Sequence, residues 1–188
     1  MIERAQFLAD ELDYSRSRML VSLGNLTDEQ AKWRPSPASN SIISILFHIS
    51  RIDDFDVNLF LSPMPRQMWV SDGWAEKLGL PTPNDPGALA KTPDGAWPQE
   101  MGWDFNALEH NKNVTLISVL DYANSTRELT KKFLATVTEM DLKRPIDDGS
   151  PRHKGWDVAK HIAHFALHES HHQGQIDYLK GLRTQLVK

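Results

Sequence analysis

Seven of the chain's eleven prolines lie between residues 62 and 113, and proline at that density forbids a long helix there. The stretches on either side carry apolar residues three and four apart, the spacing that lines up one face of a helix. Four such segments stand out, at about 3–23, 41–61, 114–139 and 156–183. Leu8, Leu12, Met19 and Leu23 mark the first; Ile45, His48, Ile52, Phe55 and Leu59 mark the second. Leu116, Leu120, Ala123, Leu134 and Val137 mark the third, and Phe165 and Leu179 the fourth. Asn25 to Gln30 with Pro35 and Pro37 break the pattern after the first, and Pro145 with the run 147–151 after the third. No stretch alternates apolar and polar residues between turn signals, so strands are not expected. Four amphipathic helices need one another to bury their stripes, and the expected fold is an all-α four-helix bundle.

The 62–113 excursion also holds Trp69, Trp74, Trp97 and Trp103. Disordered segments are poor in aromatic residues. The excursion is therefore expected to be ordered, to contain a short helix or two, and to cover a site at the open end of the bundle. At 188 residues the chain fits a single domain, 1–188, with this excursion inside it. A net charge of −4 provides no electrostatic attraction for nucleic acid or an anionic membrane. No apolar run is long enough to span a bilayer, and residues 1–12 lack the apolar core of a signal peptide, so a cytoplasmic location is the default expectation. With no cysteine, the chain has neither a disulfide framework nor a thiolate of its own.

Chemistry concentrates in the histidines. Five of eight fall in the last segment, at His161, His164, His168, His171 and His172. At about 100° per residue, His168 and His172 stand roughly 40° apart and one turn apart, inside the apolar stripe with Phe165 and Leu179. His48 occupies the matching position between Ile45 and Ile52. Three inward imidazoles from two helices form a facial set for zinc, nickel or iron with open positions. The competing reading is a set of core histidines satisfied by hydrogen bonds, and burying several imidazoles without partners is costly.

His168-Glu-Ser-His-His172 also spells the metalloprotease pattern in which the glutamate is a general base. Sixteen residues follow His172 and hold no histidine or glutamate, so a third ligand has to come from upstream, against that assignment. Glu169 is expected at the solvent or between helices. Trp33 and Trp156 are expected as core plugs, and Arg16, Arg51 and Arg127 on solvated faces.

Leu26-Thr-Asp-Glu-Gln30 followed by Trp33-Arg-Pro35, Ser44-Ile-Leu-Phe-His48, and His168-x-x-His171-His172-Gln-Gly-Gln-Ile-Asp-Tyr-Leu-Lys-Gly-Leu182 together resemble the DinB-like superfamily, which includes bacterial metal-dependent thiol transferases. The resemblance covers nearly the whole chain outside the excursion. It implies a DinB/YfiT-like four-helix bundle with an up-down-down-up connection, a divalent metal on His48, His168 and His172, and often a homodimer. His171 falls where the family carries a histidine that is usually not a ligand. A metal-activated low-molecular-weight thiol such as bacillithiol, mycothiol or glutathione would then attack a small electrophilic substrate. Metal-dependent hydrolysis and a non-catalytic metal-binding bundle are the alternatives.

Overall fold

The computed structural model describes residues 1–61, 67–80, 105–146 and 151–187. Four long helices carry the fold: α1 (Glu3–Leu23), α3 (Ile42–Leu61), α7 (Leu116–Thr136) and α9 (Val158–Leu186). Short ones lie between them: α2 (Asp28–Lys32), α4 (Met68–Ser71), α5 (Trp74–Leu78), α6 (Phe105–His110) and α8 (Glu139–Leu142). Among the described residues there is no strand, only an isolated bridge between Pro145 and Asp157.

The helix starts follow from local chemistry. Thr27 accepts from the Gln30 amide while Gln30 accepts from the Thr27 amide, a capping box that builds α2 inside the 25–30 stretch expected to be a plain break. The third segment was expected to run to 139 and stops at Thr136. Val137 turns extended, and Thr138 opens α8 with its own capping box to Asp141. Thr115 and Asp157 cap α7 and α9 in the same way, each side chain accepting a first-turn amide.

The long helices pack in a ring, α1 on α9, α9 on α3, α3 on α7 and α7 on α1. Two apolar clusters occupy its two ends. One gathers Met19 and Leu23 of α1, Ile42 to Ile49 of α3, Leu116 to Tyr122 of α7, and Ile176 and Leu179 of α9. The other gathers Ala5 to Leu12, Val57, Leu134, and Val158 to Phe165. Reading residue numbers from one cluster to the other, α1 and α9 run one way and α3 and α7 the other, the up-down-down-up order. Parallel neighbours such as α3 and α7 cannot be joined by a tight turn, which is why the connection between them is long.

The described parts of that connection do pack on the bundle. Asp54 accepts the amides of Met68 and Trp69 at 2.8 Å each and the Tyr122 hydroxyl at 2.6 Å, which nails the start of α4 onto α3 and α7. Arg51 lies over the Trp69 ring, and Trp69 meets Phe47 edge-on. Trp69 is fully buried in the core, and Trp74, half-buried, packs against Tyr122 at the core's edge. Burying a large apolar side chain of this kind stabilises by about 1.5–3 kcal/mol. Trp97 and Trp103 lie outside the described residues. Trp33 packs on the same core, as expected of a plug.

Candidate metal centre

A polar layer separates the two apolar clusters, and it corrects one expectation. Arg16, Arg51 and Arg127 are buried, not solvated. The Arg16 Nε donates to Glu169 at 2.5 Å, Arg127 donates to the other carboxylate oxygen at 3.1 Å, and Ser15 donates to that oxygen at 2.6 Å. Asp53 stands 3.6 Å from the Arg127 guanidinium. Two guanidinium groups thus face two carboxylates from all four long helices, and formal charge balances inside a medium that punishes any excess. Burial raises Glu169, but Arg127, Arg16 and Ser15 outweigh it and hold the carboxyl below its usual range. Asp53 is held less firmly, and burial raises it to about 7 against the pull of Arg127. Glu169 is therefore an interhelical tie, and sequence spacing alone left its position open.

One residue away, the layer opens onto three imidazoles. His168 Nε2 lies 3.2 Å from His48 Nε2 and 3.0 Å from His172 Nε2. The ligand atoms of all three fall within 4.8 Å of one another. The i,i+4 geometry of α9 sets the His168–His172 spacing, while the packing of α3 on α9 brings in His48. Burial lowers His48 to about 4, with His172 adding to it, and lowers His168 to about 2, with His172 and His48 adding. His172 is lowered by burial too, although Gln175 works against it. All three rings are neutral at pH 7, the state in which imidazole is a ligand.

Their hydrogen-bond arithmetic favours a cation. His172 Nδ1 sits 2.8 Å from the Gln175 Oε1, an acceptor, so Nδ1 carries the proton and Nε2 presents a lone pair. His168 Nε2 can donate to only one of its two neighbouring nitrogens. A single ion at 2.0–2.1 Å from two nitrogens holds them about 2.8–3.4 Å apart at octahedral to tetrahedral angles, which is the spacing of His168 Nε2 from each of its two neighbours. Gln175 was within the motif but carried no assigned role; its i,i+3 offset from His172 was the available signal. His168 Nδ1 is buried and has no hydrogen-bond partner among the described residues, unlike His172 Nδ1.

The remaining histidines do not join this group. His153, His161 and His164 surround Trp156, with ring centroids 4.3, 5.3 and 5.2 Å from the indole. His164 stacks on His168 at 6.0 Å and so links the two clusters. His171 is exposed.

An all-α ring of helices with three neutral, convergent imidazoles on facing helices fits a metal-binding type of helical protein. The chain belongs to the DinB superfamily, whose pattern it matches over residues 11–176. Its fold is shared with a conserved protein of Enterococcus faecalis, at 21% identity and a TM-score of 0.69, over 97% of this chain and 98% of the other. No curated protein matches it. No helix of the described residues is long and apolar enough to cross a membrane.

Proposed function

We propose that His48, His168 and His172 hold one divalent transition metal of the zinc, nickel or iron kind, and that the site transfers a low-molecular-weight thiol to a small electrophile. The convergence of three Nε2 atoms carries the reading. An ion held by three neutral imidazoles keeps its formal double charge and supplies the Lewis acidity that favours thiolate over thiol. The sulfhydryl has to arrive on a small molecule, because the chain has no cysteine. In the transfer, the S–H proton leaves to solvent, a carbon–sulfur bond forms, and the leaving group departs with the electrons of the broken bond. No oxidant or reductant is needed.

The protein's own residues bind and orient. Gln175 fixes the His172 tautomer, and the Arg16–Glu169–Arg127 contacts hold α9 in rotation so that His168 faces His48. The same contacts argue against the hydrolase alternative. A metal-hydroxide hydrolase built on the His-Glu-x-x-His pattern needs Glu169 free to take a proton, and Glu169 is spent on two guanidinium groups and a serine.

The test has two stages. Elemental analysis of untagged protein is expected to find about one transition-metal ion per chain, matching the one three-histidine group among the described residues. Metal-loaded protein is then offered bacillithiol, mycothiol or glutathione with a test electrophile. Metal-dependent loss of free sulfhydryl supports the reading. Turnover of esters or amides without thiol replaces it with hydrolysis, and a fully loaded protein silent in both assays leaves a non-catalytic metal bundle.

A further inference from the structure

A small pocket sits where α2 and the start of α3 meet the last turns of α9. Its volume is about 110 Å³, the space of about four water molecules in the liquid. Leu26, Trp33 and Leu179 form much of its apolar wall. Lys180 and Arg183 supply charge, and none of the lining residues is a carboxylate. Leu179 lies seven residues beyond His172 and Arg183 eleven. At 1.5 Å per residue that is about 10 and 16 Å along α9, so the pocket stands clear of the three imidazoles.

Three of the four polar side chains at the wall have protons left to donate. Arg183 falls in the last turn of α9, where a cation commonly answers the free carbonyls of a helix end. Here its Nε is enclosed and has no hydrogen-bond partner among the described residues. A guanidinium N–H shut away from water without an acceptor is costly, and a ligand oxygen would relieve it. Lys180 donates to the Ser22 carbonyl, which pins the ammonium beside the pocket and leaves two protons free. Asp177, the acid nearest to it on α9, accepts from Ser22 and Gln173 instead. Gln30 commits its oxygen to the Thr27 amide in the α2 capping box, and its NH2 group remains. Only Thr184 is spent, donating its hydroxyl proton to the Lys180 carbonyl.

Donors and positive charge without a carboxylate select an anion. A planar guanidinium fork matches a carboxylate. The apolar wall favours an anion that carries hydrocarbon over a bare inorganic oxyanion, whose every oxygen needs a donor or water. The volume limits such a ligand to roughly four to six non-hydrogen atoms. We propose that this pocket binds a short-chain monocarboxylate, with its oxygens on Arg183 and Lys180 and its hydrocarbon against Trp33 and Leu179. The proposal is independent of the metal chemistry.

Titrating the isotope-labelled full chain with propionate, read by amide shifts in nuclear magnetic resonance at constant ionic strength, tests it. Saturable shifts are expected at residues 26–33 and 179–184, alike in protein as purified and after chelator treatment. Propionamide, equal in size and uncharged, and inorganic phosphate are each expected to bind about tenfold or more weakly. Arg183→Gln is expected to weaken propionate binding about tenfold, with an unchanged circular dichroism spectrum. Thr184→Glu, at an exposed position on the same wall, puts a carboxylate where the ligand would sit and is expected to abolish binding. Absence of saturable shifts overturns the proposal. So does propionamide or phosphate as tight as propionate, or either variant as tight as the wild type. Binding that disappears with the metal overturns it too, because the carboxylate would then sit on the ion.

Discussion

Arg127 of α7 donates to Glu169 of α9 at 3.1 Å, and Glu169 is the residue that follows His168. The same guanidinium stands 3.6 Å from Asp53, five residues past His48 on α3. One side chain therefore ties together the two helices that present the imidazoles, at the height of the site. Replacing Arg127 with methionine leaves two buried carboxylates with one remaining guanidinium. Breaking a buried pair in this way costs about 3–5 kcal/mol. Urea denaturation is expected to show that loss, with weaker metal binding measured on the protein that stays folded. A stability change below about 1 kcal/mol, the size of an exposed pair, would contradict the arrangement.

His172→Ala removes one of three nitrogens and leaves an i,i+4 void on a helix that does not depend on it. Metal content by elemental analysis is expected to fall to background while far-ultraviolet circular dichroism stays unchanged. Retention of one ion per chain in this variant would remove His172 from the ligand set.

Gln175→Leu keeps all three proposed ligands but frees the His172 ring to rotate and change tautomer. Losing such a partner lowers metal affinity about 10–100-fold. Competition with a chromophoric chelator measures it. Gln175 is exposed, which predicts no comparable change in apo-protein stability.

Acid is expected to destabilise the metal-free protein beginning near pH 6.5. The unfolded chain takes up protons on its histidines there, while folded His48 refuses them down to about 4 and His168 to about 2. Their contribution is whole above the unfolded value and drains as pH falls. Asp53 acts with the opposite sign. It keeps its proton in the fold up to about 7, so its contribution is present in acid and lost as pH rises through that value. Asp54, also raised by burial, adds to Asp53, and His172, lowered by burial, adds to the other two imidazoles; thermal melts between pH 4 and 6.5 are expected to rise with pH. A profile that no longer rises with pH in His48→Gln/His168→Gln, beside a rising wild type, assigns the effect to these rings.

Asp54→Ala removes the acceptor for the Met68 and Trp69 amides and for Tyr122. Hydrogen exchange at those two amides is expected to speed up strongly, while amides in the middle of α9 keep their protection. Equal acceleration in both places would mean that Asp54 supports the whole bundle and not the docking of α4.

The sequence by itself determined where the long helices lie and which imidazoles face inward. Helical periodicity is written in local spacing, and the proline-dense excursion leaves no other place for helices of that length. His168 and His172 sit one turn apart whatever the rest of the chain does, because α-helix geometry alone sets their offset. The small helices α2 and α8 escaped because capping boxes act over four residues, below the reach of a periodic pattern. Only the tertiary structure decided the rest. Whether His48 reaches His168 depends on how α3 packs against α9, 120 residues apart in the chain. Arg16 and Arg127 went inside because carboxylates on other helices, Glu169 and Asp53, wait at the same height, while Arg51 pairs with Asp54 one turn along its own helix. A charge is cheap to bury only when its opposite is already there, and for Arg16 and Arg127 no one stretch of sequence contains both.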